Sequence, residues 1–346
     1  MKRIKDSHQR IRLRQLSLLR QRRRIIKIKR IFNIKRNNAP KKNSTVPKKR
    51  NHNHLKVAVP KFFISEKMEE SLFFINRTFK KAQHGSFRSI FFEMNEVERI
   101  DIFTICLMLS LINKLAGKNI HCWGNYPMMP KVKRDFVESG FLDVMKSAVK
   151  SNSHSHFKNQ MFMIGKKCVD GKRVGESIKE VMEYMTGTKQ HYAPVYDDIL
   201  EICANSVEHA NDRLDEKNWL VSISLEKDSV HFILTDTGAG ILNTLHKKKI
   251  EMFADSILFK KDYQVLEGVF NKSYQSQTGE INRHKGLPNV LESFNEGYID
   301  NLIVLTNCVW YNFSTHKHSV LKNEFKGTLF SWTLSKKNIE KWKTSN

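Results

Sequence analysis

The chain has 346 residues, with 60 Lys/Arg against 35 Asp/Glu, a formal net charge of +25, and 40% hydrophobic residues. That composition supports a packed core and excludes collagen-like, mucin-like and wholly disordered chains. The charge is lopsided: residues 1–50 hold 20 Lys/Arg and one acid, Asp6, while the remainder holds 40 Lys/Arg and 34 acids.

Residues 1–54 therefore read as a basic arm, flexible or helical, ending in a linker with Pro40, Pro47 and Asn/His. Its cationic field suits nucleic-acid phosphates first, with an anionic membrane surface or an acidic protein as alternatives. Phe32 is its only aromatic, so stacking on bases is not its main device. It is Arg-rich like a transit peptide, but poor in Ser. The longest apolar run, residues 103–112, is too short to span a bilayer. Five scattered cysteines, with no C-x-x-C pair, suggest a reducing cytoplasm.

From about Leu55 the pattern is α/β. Residues 89–94 read as a strand, 101–116 as a helix closed by Gly117, 119–124 as a second strand, and 130–139 as a helix ended by Gly140. The Ser/His/Asn-rich stretch 151–156 reads as an internal boundary. Beyond it, 174–185 is an amphipathic helix and 195–211 is the clearest helix of all. Strands follow at 219–225 and 230–235, then an irregular stretch 242–283 with two short helices. A helix at 287–295 and strands at 302–306, 309–313 and 328–334 complete the order. This order predicts helices layered on one face of a mixed sheet.

Four short motifs carry chemistry. On the helix 195–211, Asp198, Glu201, Asn205, Glu208, His209 and Asp212 fall on one polar arc. Glu201, Asn205 and His209 form an i, i+4, i+8 row able to serve a metal–phosphate group, with Asn205 offering an amide oxygen to Mg²⁺. Taken alone, a solvated face explains this row as well. The second motif is Asp236-x-Gly238-x-Gly240 at a strand end, where glycines allow close backbone approach. The third, Arg283-His-Lys-Gly-Leu-Pro-Asn289, opens a helix whose free N–H groups, beside Lys285, suit a phosphate. The fourth is Gly327-Thr328, at a turn into a strand. The string 165–173 is not a Walker motif, because its spacing is one residue long and Arg173 replaces Ser/Thr.

In this order, over residues 165–340, the motifs resemble the GHKL (Bergerat) ATP-binding fold of histidine kinases, DNA gyrase, heat-shock chaperones and mismatch-repair ATPases. Glu201-x-x-x-Asn205 looks like its N box, Asp236-x-Gly238-x-Gly240 its first glycine box, Gly286-Leu287 the end of its second, and Gly327-Thr328 its last motif. The resemblance implies a two-layer α/β sandwich with a mixed sheet that binds ATP and Mg²⁺. Asn205 would hold Mg²⁺, Asp236 and Thr328 would recognise adenine, and Glu201 would be the catalytic base. His209, Gly238, Gly240, Lys285, Gly286 and Leu287 would line the nucleotide, under a lid at 242–283. One departure matters: His284 stands where a fuller second glycine box has Gly. No His-Glu-x-x-x-Pro acceptor helix is found upstream, which argues against a sensor kinase.

Residues 55–150 are similar to a STAS domain, on the strand 90–94, Arg99-Ile-Asp101, Gly117-Lys-Asn-Ile-His121 and the turn 136–141. Asp101 is followed by Ile102, not by the Ser that such regulated domains phosphorylate, so this part reads as a protein-interaction module. The expectation is an ATP-binding regulatory protein: a Mg²⁺-dependent ATPase or ATP-gated switch, with a homodimer as one candidate assembly. The alternatives are a non-hydrolysing module, or a serine or histidine kinase acting on a separate partner.

Overall fold

The computed structural model describes residues 54–85, 87–147, 154–157, 160–165, 169–209, 219–245, 261–271 and 286–345, which belong to one compact unit. Residues 1–53 of the basic arm lie outside the described residues, as does most of the stretch read as a lid; the last residue assigned to the arm, His54, begins the first strand.

The chain enters through strand β1 (His54–Ala58), β2 (Phe62–Phe63) and helix α1 (Met68–His84). Next come β3 (Ser89–Glu93), β4 (Arg99–Ile100), α2 (Ile102–Gly117), β5 (His121–Gly124), α3 (Pro130–Glu138) and α4 (Phe141–Ser147). β1, β3 and β5 form a parallel three-stranded sheet with β3 in the centre. The helix starts are written locally. The Asp101 carboxylate accepts the Thr104 N–H at 2.8 Å and caps α2, and Pro130 opens α3.

The second part runs β6 (His154–Phe157), β7 (Gln160–Gly165), α5 (Gly171–Thr186), α6 (Ala193–His209), β8 (Trp219–Leu225) and β9 (Ser229–Asp236). It ends with α7 (Asp262–Phe270), α8 (Gly286–Asn295), β10 (Asp300–Asn312), β11 (Lys317–Ser335) and α9 (Lys336–Ser345). Asp170 caps α5 at its start, and left-handed Gly187 (φ 78°) closes it. The six strands pair in the order β10-β11-β9-β8-β7-β6. Every pairing in this sheet is antiparallel, not mixed as the sequence order suggested. β6-β7, β8-β9 and β10-β11 pair as hairpins, whereas β7 reaches β8 through α5 and α6, and β11 returns past β10 to pair with β9. Among the described residues, parallel pairing is confined to β1-β3-β5 and β2-β4.

Both faces are buried along β7, most of β8 and β9, and the second half of β11, so these stretches do not alternate strictly with polar residues, while the start of β11 at Lys317–Val320 is exposed. In β7, Met161 and Met163 join one hydrophobic cluster with α5 and α6, while Phe162 and Ile164 join the other, with α1 and α2. β9 divides in the same way, with Phe232 and Leu234 on the first side and Ile233 on the second. The second cluster continues to the inner face of the small sheet, through Val57, Ile90 and Phe92. α2 thus lies between two sheets. Phe103 to Asn113 are buried without a break, which explains why the longest apolar run in the sequence is a helix apolar all round. No helix among the described residues is long and apolar enough to cross a membrane.

Candidate functional site

β9 ends at Asp236, and β11 bends beside it at Gly327. Here φ is 143°, and an added Cβ would lie 2.1 Å from the Asp236 carbonyl oxygen. Only a glycine lets the two strands approach this closely. The next residue, Thr328, donates its N–H to Asp236 Oδ1 at 3.1 Å, and Gly238 donates to the same oxygen at 2.8 Å. Ser206 of α6 reaches Asp236 Oδ2 with its hydroxyl at 3.3 Å. An ionised carboxylate has about four acceptor positions. The two N–H groups fill Oδ1, while the Ser206 hydroxyl shares its one proton between the Ile202 carbonyl at 3.0 Å and Oδ2, so Oδ2 keeps acceptor capacity, and Asp236 keeps part of its surface open. Burial pushes its carboxyl above the usual range. The Gly238 and Thr328 N–H groups, Lys114 and Ser206 pull it back.

The glycine loop after Asp236 is anchored from β10. Gly240 is left-handed (φ 82°), and a Cβ there would collide with the Asn307 amide at 2.5 Å. Asn307, itself left-handed at φ 52° and buried, accepts the Leu242 and Asn243 N–H groups at 3.1 and 3.3 Å. It thereby caps the helical turn over residues 241–245. Its amide nitrogen donates to the Ala239 carbonyl at 2.8 Å and to Glu324 at 3.2 Å. Buried Thr306 accepts the Ile241 N–H at 2.9 Å. Thr306, Asn307, Glu324 and Ser206 were not singled out in the sequence. Only a left-handed Asn inside a strand, invisible without coordinates, marks the first three.

α6 carries Glu201 and Asn205, both half-buried, on the turns leading to Ser206. Asp198, which helical spacing put on the same polar arc, is not solvated. It is 1% exposed, and its Oδ1 accepts the Ser293 hydroxyl of α8 at 3.2 Å. Its Oδ2 has no partner among the described residues, and burial pushes its carboxyl well above the usual range. Six residues earlier in the chain, Tyr192 donates to the Tyr298 carbonyl at 2.8 Å. Advancing along α6 therefore means retreating along α8, so the two helices run antiparallel. Gly286 is the first residue of α8. Leu287 follows, half-buried against the core.

The remaining candidates are less defined. His209 is the last residue of α6, and its side chain lies outside the described residues, as do His284 and Lys285. Asp236, Gly238 and Thr328 meet directly, and Gly240 packs on Asn307 beside them. Asn205 and Glu201 are tied to them through Ser206.

The N-terminal layer grips this site from behind. Ser110 of α2 shares a hydrogen bond with Thr235, the neighbour of Asp236, at 2.8 Å. Lys114, one turn on, donates to the Lys326 carbonyl at 2.6 Å, next to Gly327. From α1, Asn76 donates to the Glu324 carbonyl at 2.7 Å, and the Glu69 carboxylate accepts the Lys322 and Asn323 N–H groups at 3.1 and 3.0 Å. Among the described residues no three His, Cys, Asp or Glu converge as a metal site. No protein-family model matches the chain, and a search of curated proteins finds no match.

Proposed function

We propose that residues 165–340 form a GHKL-type nucleotide domain, that residues 55–150 form a STAS-like interaction domain, and that the chain is an ATP-binding regulatory protein. The observation that carries this reading is the Asp236 carboxylate. It is half-buried and held by Gly238, Thr328 and Ser206, with room on Oδ2 for an exocyclic amine. Adenine offers that amine, and guanine presents a carbonyl in its place, so an acceptor here favours adenine. The phosphates would extend toward the start of α8, since the first-turn N–H groups of a helix favour an anion.

A Mg²⁺ held mainly by phosphate oxygens and water needs only one or two protein oxygens. The half-buried amide of Asn205 fits that demand and would hold it, neutralising phosphate charge. Glu201, one turn earlier on the same helix, would orient or deprotonate a water. His284, in place of a glycine, favours the version in which ATP is bound as a switch and turned over slowly or not at all.

The test is calorimetric titration of the purified protein with ATP and GTP in Mg²⁺, alongside a phosphate-release assay. ATP binding lost in Asp236→Asn and kept in Glu201→Gln supports the site. Normal ATP binding by Asp236→Asn removes it. Phosphate release that falls to background in Glu201→Gln identifies an ATPase. Release no higher in the parent protein than in that variant identifies a binding switch.

A further inference from the structure

β10 and β11 fall out of step beside the glycine loop. Asn307 pairs with Phe325 and Val309 pairs with Val320, so β10 advances two residues while β11 advances five. β11 therefore bulges over residues 321–324. A bulge takes backbone groups out of the ladder and re-aims the side chains it carries. Those backbone groups still need partners, and α1 supplies them. The Glu69 carboxylate accepts the Lys322 and Asn323 N–H groups at 3.1 and 3.0 Å, and the Asn323 amide at 2.7 Å. Asn76 donates to the Glu324 carbonyl at 2.7 Å. Glu69 and Asn76 lie about two helical turns apart, so one face of α1 holds the whole bulge.

The bulge aims the Glu324 carboxylate the other way, at the glycine loop. Its Oε1 accepts the Asn243 amide at 2.8 Å and the Asn307 amide at 3.2 Å. Asn307 in turn holds the Leu242 and Asn243 N–H groups and the Ala239 carbonyl, and it fills the space against Gly240. Glu324 thus has its backbone tied to α1 and its carboxylate tied to the loop that follows Asp236. Carboxylates hold both ends of this link, and hydrogen bonds to a charged acceptor are the strong ones. A slide of the bulge along α1 moves the Glu324 carboxylate off the two amides.

We infer that Glu324 is a positioning residue for the glycine loop, and that α1, acting through the β11 bulge, sets how tightly the site beside that loop binds its nucleotide. The inference rests on the reading of Asp236 and residues 238–243 as part of a nucleotide site. Coupling of this kind is reciprocal. Whatever loosens α1 from the bulge weakens the nucleotide, and the nucleotide tightens the bulge on α1. The N-terminal layer gains a way to regulate the site without touching the ligand.

The test uses the full chain in two measurements. Calorimetric titration with ATP in Mg²⁺ reads affinity, and hydrogen-exchange mass spectrometry reads the peptides covering 238–245 and 320–326. Glu69→Ala and Glu324→Ala should each weaken ATP binding roughly fivefold. The double variant should bind no more weakly than Glu324→Ala alone, because both substitutions act through one link. Glu324→Gln keeps an acceptor oxygen and should restore most of the loss. Exchange in 238–245 should quicken in Glu69→Ala, although Glu69 does not touch that loop, and ATP should slow exchange in 320–326 of the parent. Unchanged exchange in 89–93 shows that the fold survives, and Asn76→Ala, which removes one bond to the same bulge, replaces Glu69→Ala if that variant unfolds. Exchange in 238–245 that stays at the parent rate, or ATP losses that simply add in the double variant, overturns the inference. A parent protein that binds no ATP removes the nucleotide reading instead, and the exchange of 238–245 in Glu69→Ala still decides whether α1 holds the loop.

Discussion

Ser110 and Thr235 share a buried hydrogen bond of 2.8 Å, and it joins the N-terminal layer to the residue beside Asp236. Ser110 also donates to the Cys106 carbonyl at 2.9 Å, so its hydroxyl bridges α2 and β9. Ser110→Ala should cost about 1 kcal/mol in urea unfolding. It should also weaken adenosine binding several-fold, because Thr235 loses the contact that fixes its side chain. A stability loss with no change in adenosine affinity would mean that the bridge serves only the fold.

Gly327→Ala should be far more damaging. The new Cβ would sit 2.1 Å from the Asp236 carbonyl, and the backbone there has φ 143°. The strands would have to separate, costing at least about 2 kcal/mol and removing nucleotide binding. Denaturant melts with ATP titration on the same samples would check both effects.

Asn307 does two tasks that substitution can separate. Asn307→Gly keeps the left-handed backbone and loses the amide, while Asn307→Ala loses the amide and strains the backbone. Alanine should therefore destabilise by about 1 kcal/mol more than glycine. Both should loosen the loop 238–243, read out as faster amide exchange at Leu242 and Asn243.

Acid should oppose adenosine binding at Asp236. Burial raises its carboxyl, and Oδ1 is filled by two N–H groups, so the proton goes to Oδ2, the oxygen that would accept the proposed amine. Affinity is then present above the raised value and lost as pH falls through it. Stability moves in the opposite sense. The ionised carboxylate costs the free protein stability above that value. The cost disappears between it and the unfolded reference near pH ~3.9. Lys114→Met removes a nearby positive charge, so the acid limb should move to higher pH. Adenosine titrations from pH 4 to 8 would measure this without interference from phosphate ionisation.

Local signals were readable in the sequence where one residue type decides the outcome. The Asp101 cap, Pro130, Gly140 and Gly187 set helix ends close to where they occur. α6 was legible from its apolar side, but its polar side was only partly so. Asp198 reads as solvated by spacing and is covered by α8, a tertiary event that no period encodes. α1 was not read from the sequence, although Met68, Leu72, Ile75 and Ala82 recur at helical spacing along its buried face; Phe73 beside them faces solvent. β7 escaped because a strand buried on both faces shows no alternation. The four motifs were legible as strings, whereas the bonds that join them through Ser206, Thr306 and Asn307 were not.

The six-stranded sheet has apolar residues of both hydrophobic clusters on its two faces, so neither half of the unit is complete alone. A fragment beginning near Gln160 would present Phe162, Ile164, Leu220, Ile233 and Leu329 to water. Such a fragment should aggregate, not fold. The whole unit should melt in a single step, with both hydrophobic clusters and the hydrogen bonds around Asp236 lost at the same temperature.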